Sequence, residues 1–242
     1  SLSGLRRLKA ITAPSKSISW IEQPLGGELL FRRDVVEKLV EDERVMGQSD
    51  WGIDTLYTFA TVQHGFRVYE TYMTQGKAHS LYGKLTDLRT MLVECFSAIQ
   101  SLKNEKLEDD LVHRAEPASE VPDLITQKLG FDFEGTLGLL KLDWSDKQEE
   151  YLNHFPASVR KHMVENKTSA SFSFMDEITW MKSYHVLLEH FVKGDPDWEE
   201  LLFKLWILRV INYTTTVALR GYDFSQRYLH EMVHRYRMQA GI

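Results

Sequence analysis

An α/β segment followed by an all-helical one is the fold class that the sequence predicts, and three observations carry it. Up to residue 83, short extended runs alternate with stretches of helical periodicity. From residue 84 onward, apolar residues recur almost only at spacings of three and four, which places them on one face of a helix. No internal repeat or glycine-rich phosphate loop interrupts either part. The division expected is therefore 1–83 for the mixed segment and 84–242 for the helical one. Some three strands are expected in the first segment, too few to make a sheet that covers itself, so it has the character of the back half of a larger α/β domain.

Residues 1–13 have the pattern of a short amphipathic helix that Pro14 ends. Alternation over Ser17 to Glu22 predicts a strand, and P-L-G-G at 24–27 a tight turn or a close backbone approach. Extended chain resumes over Glu28 to Phe31. Val35, Val36, Leu39 and Val40 predict a helix over 33–42, with Asp34 favourably near its positive end. A loop is expected over 43–48, a helix over 50–64 and a strand over Phe66 to Met73. Leu88, Met91, Leu92, Cys95 and Ile99 predict the next helix. The charged stretch 102–120 is expected to be a linker, with short helices after it at 121–129, 133–141, from Ser145 to Phe155, and around Val159 to Val164. Phe174 to Phe191 has one apolar face. G-D-P-D-W-E-E at 194–200 is a helix start with Asp195 as cap, Pro196 at the first position and acids in the first turn. That helix is expected to run to Leu219 and stop at Gly221, with a last helix over Asp223 to Gln239.

Composition narrows the function classes. The chain has 242 residues, enough for a sizeable core, and a net charge of −6 that argues against broad nucleic-acid binding. Cys95 is the single cysteine, so no internal disulfide forms, and its place on an apolar helix face marks it as core. No apolar run long enough to span a membrane occurs. A cytoplasmic location suits these features. The long apolar helices leave room for a homo-oligomer.

Two residues in the stretch Ser49 to Tyr82 suggest chemistry. Asp54 lies on an otherwise apolar helix, where a carboxylate is costly unless something satisfies it; it reads as a sugar or cation contact, or as a surface acid or salt bridge. His79 follows a strand, where an imidazole can complete a divalent site built from carboxylates, although a lone histidine specifies little. Trp51 reads equally as a ligand wall or as packing. Tyr82 and Arg89 suit an anionic ligand, or else a packed phenol and a surface charge. The acids E-D-E at 41–43 have the pattern of a solvated helix end, and Arg32 and Arg33 that of solvated cations. His185 and His190 are turned apart on a helix. His230 and His234 have a chelating spacing but no evident third ligand.

Several long runs together resemble one family: S-W-I-E-Q-P-L-G-G-E-L-L at 19–30, S-D-W-G-I-D-T-L-Y-T-F at 49–59, G-K-A-H-S-L-Y-G at 76–83, D-L-R-T-M-L-V-E-C-F at 87–96, and G-D-P-D-W-E-E-L-L-F-K-L-W at 194–206. Over about residues 17–240 the chain is similar to the mannosylglycerate synthases, retaining glycosyltransferases with a GT-A type nucleotide-sugar domain and a helical C-terminal region. The resemblance implies GDP-mannose as donor, D-glycerate or D-lactate as acceptor, and a divalent metal (magnesium, manganese or calcium). It implies His79 as a metal ligand beside a D-x-D pair and Asp54 as the acid at the donor mannose. Leu25, Gly26, Gly27 and Trp51 would line the sugar site, with Tyr82 near the acceptor carboxylate and Met91 near the metal and donor. The family's pattern begins with a nucleotide-binding segment and the D-x-D pair, which are not found in these residues. The alternative expectation is a non-catalytic helical interaction or oligomerisation module.

Overall fold

The computed structural model describes residues 29–70, 88–102, 112–114, 133–141, 144–217 and 220–240. The expected strand at 17–22, the turn at 24–27 and the helix at 121–129 lie outside them. The chain forms two compact units, one containing the described residues of 29–70 and 94–114, the other those of 88–93 and 133–240.

In the first unit, helix α1 (Arg33–Leu39) turns Val35 and Leu39 inward, four residues apart. Helix α3 (Ile53–Gln63) supplies Leu56, Phe59, Ala60 and Val62 to the same core, and Ala98 and Leu102 come from helix α4 (Arg89–Leu102). Burying one such leucine or phenylalanine contributes about 1.5–3 kcal/mol, so this small cluster is what holds α1 and α3 together. Phe31 packs edge-on against Tyr57 at its margin, with ring centroids 5.5 Å apart. Helix α3 ends at Gly65, whose φ of +79° is a left-handed conformation that glycine adopts freely. The Phe66 N–H then bonds back to the Thr61 carbonyl at 3.1 Å, using an otherwise orphaned acceptor.

Two strands occur among the described residues, β1 (Val68–Glu70) and β2 (Val112–Arg114). They pair in parallel, with Val68 opposite Val112. Strand β2 corrects the sequence expectation of a structureless linker over 102–120. The described part of the first unit is thus mostly helical with little sheet.

A second correction concerns residues 41–48. The stretch holds a short helix, α2 (Glu43–Met46), rather than a loop, and Asp42 is 8% exposed rather than solvated. The Asp42 carboxylate caps α2 by accepting the Arg44 backbone N–H at 3.0 Å. It also accepts the Arg44 guanidinium at 2.9 and 2.5 Å, and faces His64 Nε2 at 3.0 Å. The Arg44 hydrogen bonds hold this carboxyl well below the usual carboxylate range against the opposing effect of its burial, and His64 adds to the lowering. A carboxyl whose folded pKa is depressed stabilises fully above its unfolded pKa of about 4, and loses that contribution as pH falls toward the folded value. Asp42→Ala is therefore expected to cost about 1–3 kcal/mol at pH 7. Urea unfolding followed from pH 7 to 3 should show the wild-type advantage shrinking below about pH 4; an advantage constant with pH would remove the charge from the account.

The second unit is built around α9 (Pro196–Val217). Leu201, Leu202, Phe203, Leu205, Trp206, Ile207 and Leu208 are all buried, so the middle of the helix, over 201–209, is covered all round. It packs against α5 (Phe133–Leu139), α6 (Asp146–Tyr151), α8 (Glu177–His190) and α10 (Gly221–Ala240). A 3₁₀ turn (Leu152–His154) and α7 (Ala157–Glu165) complete the bundle. The start of α9 is as the sequence predicts: Pro196 is its first residue, and Asp195 Oδ1 accepts the N–H groups of Asp197 at 2.9 Å and Trp198 at 3.3 Å. The other oxygen of Asp195 accepts the Tyr151 hydroxyl at 2.8 Å, and that phenol, stacked on Trp198 at 4.3 Å, is pushed up to about 12 by its carboxylate partner. Gly221 has a φ of +79° but opens α10 two residues earlier than expected.

Two of the charged groups buried inside this unit are matched by partners. Lys204 is fully buried, yet its ammonium donates to Gln148 Oε1 at 3.1 Å and lies 4.0 Å from the Trp144 ring centre. Glu177 accepts Tyr228 at 2.9 Å and Arg235 at 3.0 Å through its carboxylate, and Tyr236 at 2.7 Å through its carbonyl. These bonds tie α8 to α10 with direction as well as area. No helix among the described residues is long and apolar enough to cross a membrane.

Candidate functional site

The segment Gln48–Asp54 carries Trp51 just ahead of α3 and Asp54 in its first turn. Trp51 is 49% exposed, a large area of indole left toward solvent. Asp54 is the second residue of α3 and half-buried, in the turn where the helix dipole favours a negative charge. Its carbonyl accepts the Thr58 hydroxyl at 3.3 Å. Beside it, Thr55 is fully buried, and its hydroxyl has no hydrogen-bond partner among the described residues.

Three contacts from α4 grip this segment from behind. Gln48 Nε2 donates to Glu94 Oε2 at 2.6 Å. Cys95 Sγ donates to the Trp51 carbonyl at 3.4 Å. Gly52 lies so close to α4 that a Cβ there would fall 2.9 Å from the Glu94 carbonyl oxygen and 2.9 Å from Gln48 Cδ. Gly52 has a φ of −70°, so it is required by lack of space rather than by backbone conformation. Cys95 is buried as its position on the apolar face predicts. Gln48, Gly52 and Glu94 carried no signal in the sequence, because a loop amide, an ordinary glycine and a helix carboxylate gain meaning only when the fold brings them together.

Of the other residues marked by the sequence, Met91 is half-buried in the first turn of α4, within the second unit. Arg89 pairs with Glu200 at 3.2 Å, which occupies its charge with a structural partner. Leu25, Gly26, Gly27, His79 and Tyr82 lie outside the described residues. No group of three histidine, cysteine, aspartate or glutamate side chains that could hold a metal occurs among the described residues. His230 and His234 are both exposed on α10.

Comparison with known proteins gives this geometry a context. Residues 6–101 match the family pattern described as the GT domain of mannosylglycerate synthase, and residues 125–233 match that of the mannosylglycerate synthase C-terminal domain. The chain belongs to the mannosylglycerate synthase family. A mannosylglycerate synthase of Rhodothermus marinus is 57% identical over 96% of this chain, and one of Selaginella moellendorffii is 48% identical over 95% of it. The chain spans 59% and 55% of the lengths of those two mannosylglycerate synthases. Trp51, Asp54, Gly52 and Glu94 all fall within the stretch matched to the family's GT domain.

Proposed function

We propose that this chain contributes the sugar-facing part of a GT-A type domain, and the helical region, of a retaining mannosyltransferase that moves mannose from GDP-mannose to D-glycerate or D-lactate. The reading is carried by the 57% identity to a mannosylglycerate synthase over nearly the whole chain. The half-exposed Trp51 and the helix-start Asp54 fit it chemically. In the reaction, the bond from the anomeric carbon to the diphosphate oxygen breaks and GDP leaves with the electron pair. The acceptor's 2-hydroxyl oxygen forms the new bond on the same face, and its proton passes to a base. The anomeric carbon gains positive charge on the way. A fixed carboxylate such as that of Asp54 stabilises this charge and orients the mannose hydroxyls, while the Trp51 indole supplies a flat apolar wall for the sugar.

The described residues do not by themselves make a metal site. His79 is proposed as one ligand of a divalent ion whose remaining ligands are carboxylates, because one imidazole holds a hard cation poorly. Such an ion would neutralise the leaving diphosphate.

The test is to supply the full-length enzyme with GDP-mannose, magnesium and D-glycerate. NMR should show a 2-O-mannosyl acid with the donor's anomeric configuration; an inverted product, or none, sinks the proposal. His79→Ala is expected to raise the metal concentration needed for half-maximal activity by about tenfold. A metal titration that overlays the wild type would remove His79 from the metal site.

A further inference from the structure

The contacts behind Trp51 and Asp54 do more than fill space. They come from consecutive residues of one rigid helix, and each holds the backbone of the segment or a side chain next to it. Glu94 supplies two of them, its carboxylate to Gln48 and its carbonyl against Gly52. Cys95 supplies the third, at the Trp51 carbonyl. The Gln48–Glu94 bond joins positions 46 residues apart and is partly buried, so it closes a long loop rather than decorating a surface. Helix α4 is itself fixed in the unit's core by Ala98 and Leu102.

We infer that Glu94 and Gln48 form a positioning pair for the sugar site: they set the height and angle at which Trp51 and Asp54 meet the donor sugar, without touching it. This rests on the reading of Trp51 and Asp54 as the sugar-contacting residues. A carboxylate placed at an anomeric carbon must be held to a fraction of an ångström, and supporting hydrogen bonds are the usual means. A direct pair such as Gln48–Glu94 fixes the segment at its start, Cys95 at its middle, and the tight Gly52 contact prevents it from sliding along α4. The fully buried hydroxyl of Thr55, without a hydrogen-bond partner among the described residues, stands on the first turn so fixed.

Kinetics of Glu94→Ala, Gln48→Ala, the double variant and Glu94→Gln in the full-length enzyme test this, with Asp54→Asn alongside. Each alanine variant is expected to lower kcat per folded molecule about tenfold, with KM for the acceptor changed far less. The double variant should be no worse than either single one, because the pair is already broken. Glu94→Gln keeps an acceptor oxygen for the Gln48 amide and should recover most of the loss, which a merely structural role would show only in melting temperature. Wild-type kcat in both alanine variants, with Asp54→Asn inactive, overturns the positioning pair alone. Wild-type kcat in Asp54→Asn overturns the site reading beneath it. If Glu94→Ala fails to fold, Gln48→Ala, a change in a half-buried loop side chain, carries the same decision.

Discussion

Asp54→Ala in the full-length enzyme is expected to lower turnover by about 100- to 1000-fold, the loss typical when a preorganised group facing developing charge is removed. The same substitution should change stability by only about 1 kcal/mol, the scale of an acid in the first turn of a helix. The two magnitudes separate function from fold. Asp54 is half-buried and stands at the second position of α3, while the core face of that helix is carried by Leu56, Phe59, Ala60 and Val62. Removing the carboxylate leaves those contacts intact. The Asp54 carbonyl, not its carboxylate, accepts the Thr58 hydroxyl, so that bond also survives. Turnover and thermal melting should be measured on the same preparation. A folded Asp54→Ala variant with near-wild-type turnover would end the role proposed for this side chain. A variant that melts far below the wild type would show that the carboxylate is structural first.

The local parts of the fold were legible in the sequence, and the reason is range. Asp195 caps the helix expected of it, and Ser145 proves to cap the helix expected to run from it, because the groups they satisfy lie two or three residues away. Cys95 is buried because helical periodicity alone assigns its face. Most of the features that sequence reasoning missed depend on distant partners. Strand β2 sits in a charged stretch and exists through parallel pairing to β1, more than forty residues earlier. Asp42 looked solvated among E-D-E, but Arg44 and a histidine 22 residues on offset its burial. At the candidate site, Asp54 could be picked out as an acid on an apolar helix, whereas its mechanical support could not. Nothing in a single sequence pairs Gln48 with Glu94. The family assignment likewise came from long matching runs, not from the spacing of chemical groups.

Gly52→Ala carries the same argument to its largest structural consequence. The expected cost is about 1–3 kcal/mol of stability, the range for forcing one extra carbon into a packed contact, together with about a 100-fold fall in turnover, the penalty that a misplacement near 1 Å can bring. The added Cβ would meet two atoms at 2.9 Å. One belongs to the Gln48 side chain, which can swing away only by giving up its bond to Glu94. The other is the Glu94 carbonyl oxygen, part of a helix that Ala98 and Leu102 fix in the core, so it is the segment Gln48–Asp54 that must retreat. Trp51 and Asp54 retreat with it. Gly65→Ala is the matching control: its strain comes from a φ of +79°, no atom of the described residues lies within 4 Å of the added carbon, and it sits at the far end of α3. It should therefore lower stability by about 1 kcal/mol while leaving turnover per folded molecule unchanged. Equal activity losses at the two glycines would mean that general destabilisation, and not the displacement of Trp51 and Asp54 from α4, explains what Gly52 does.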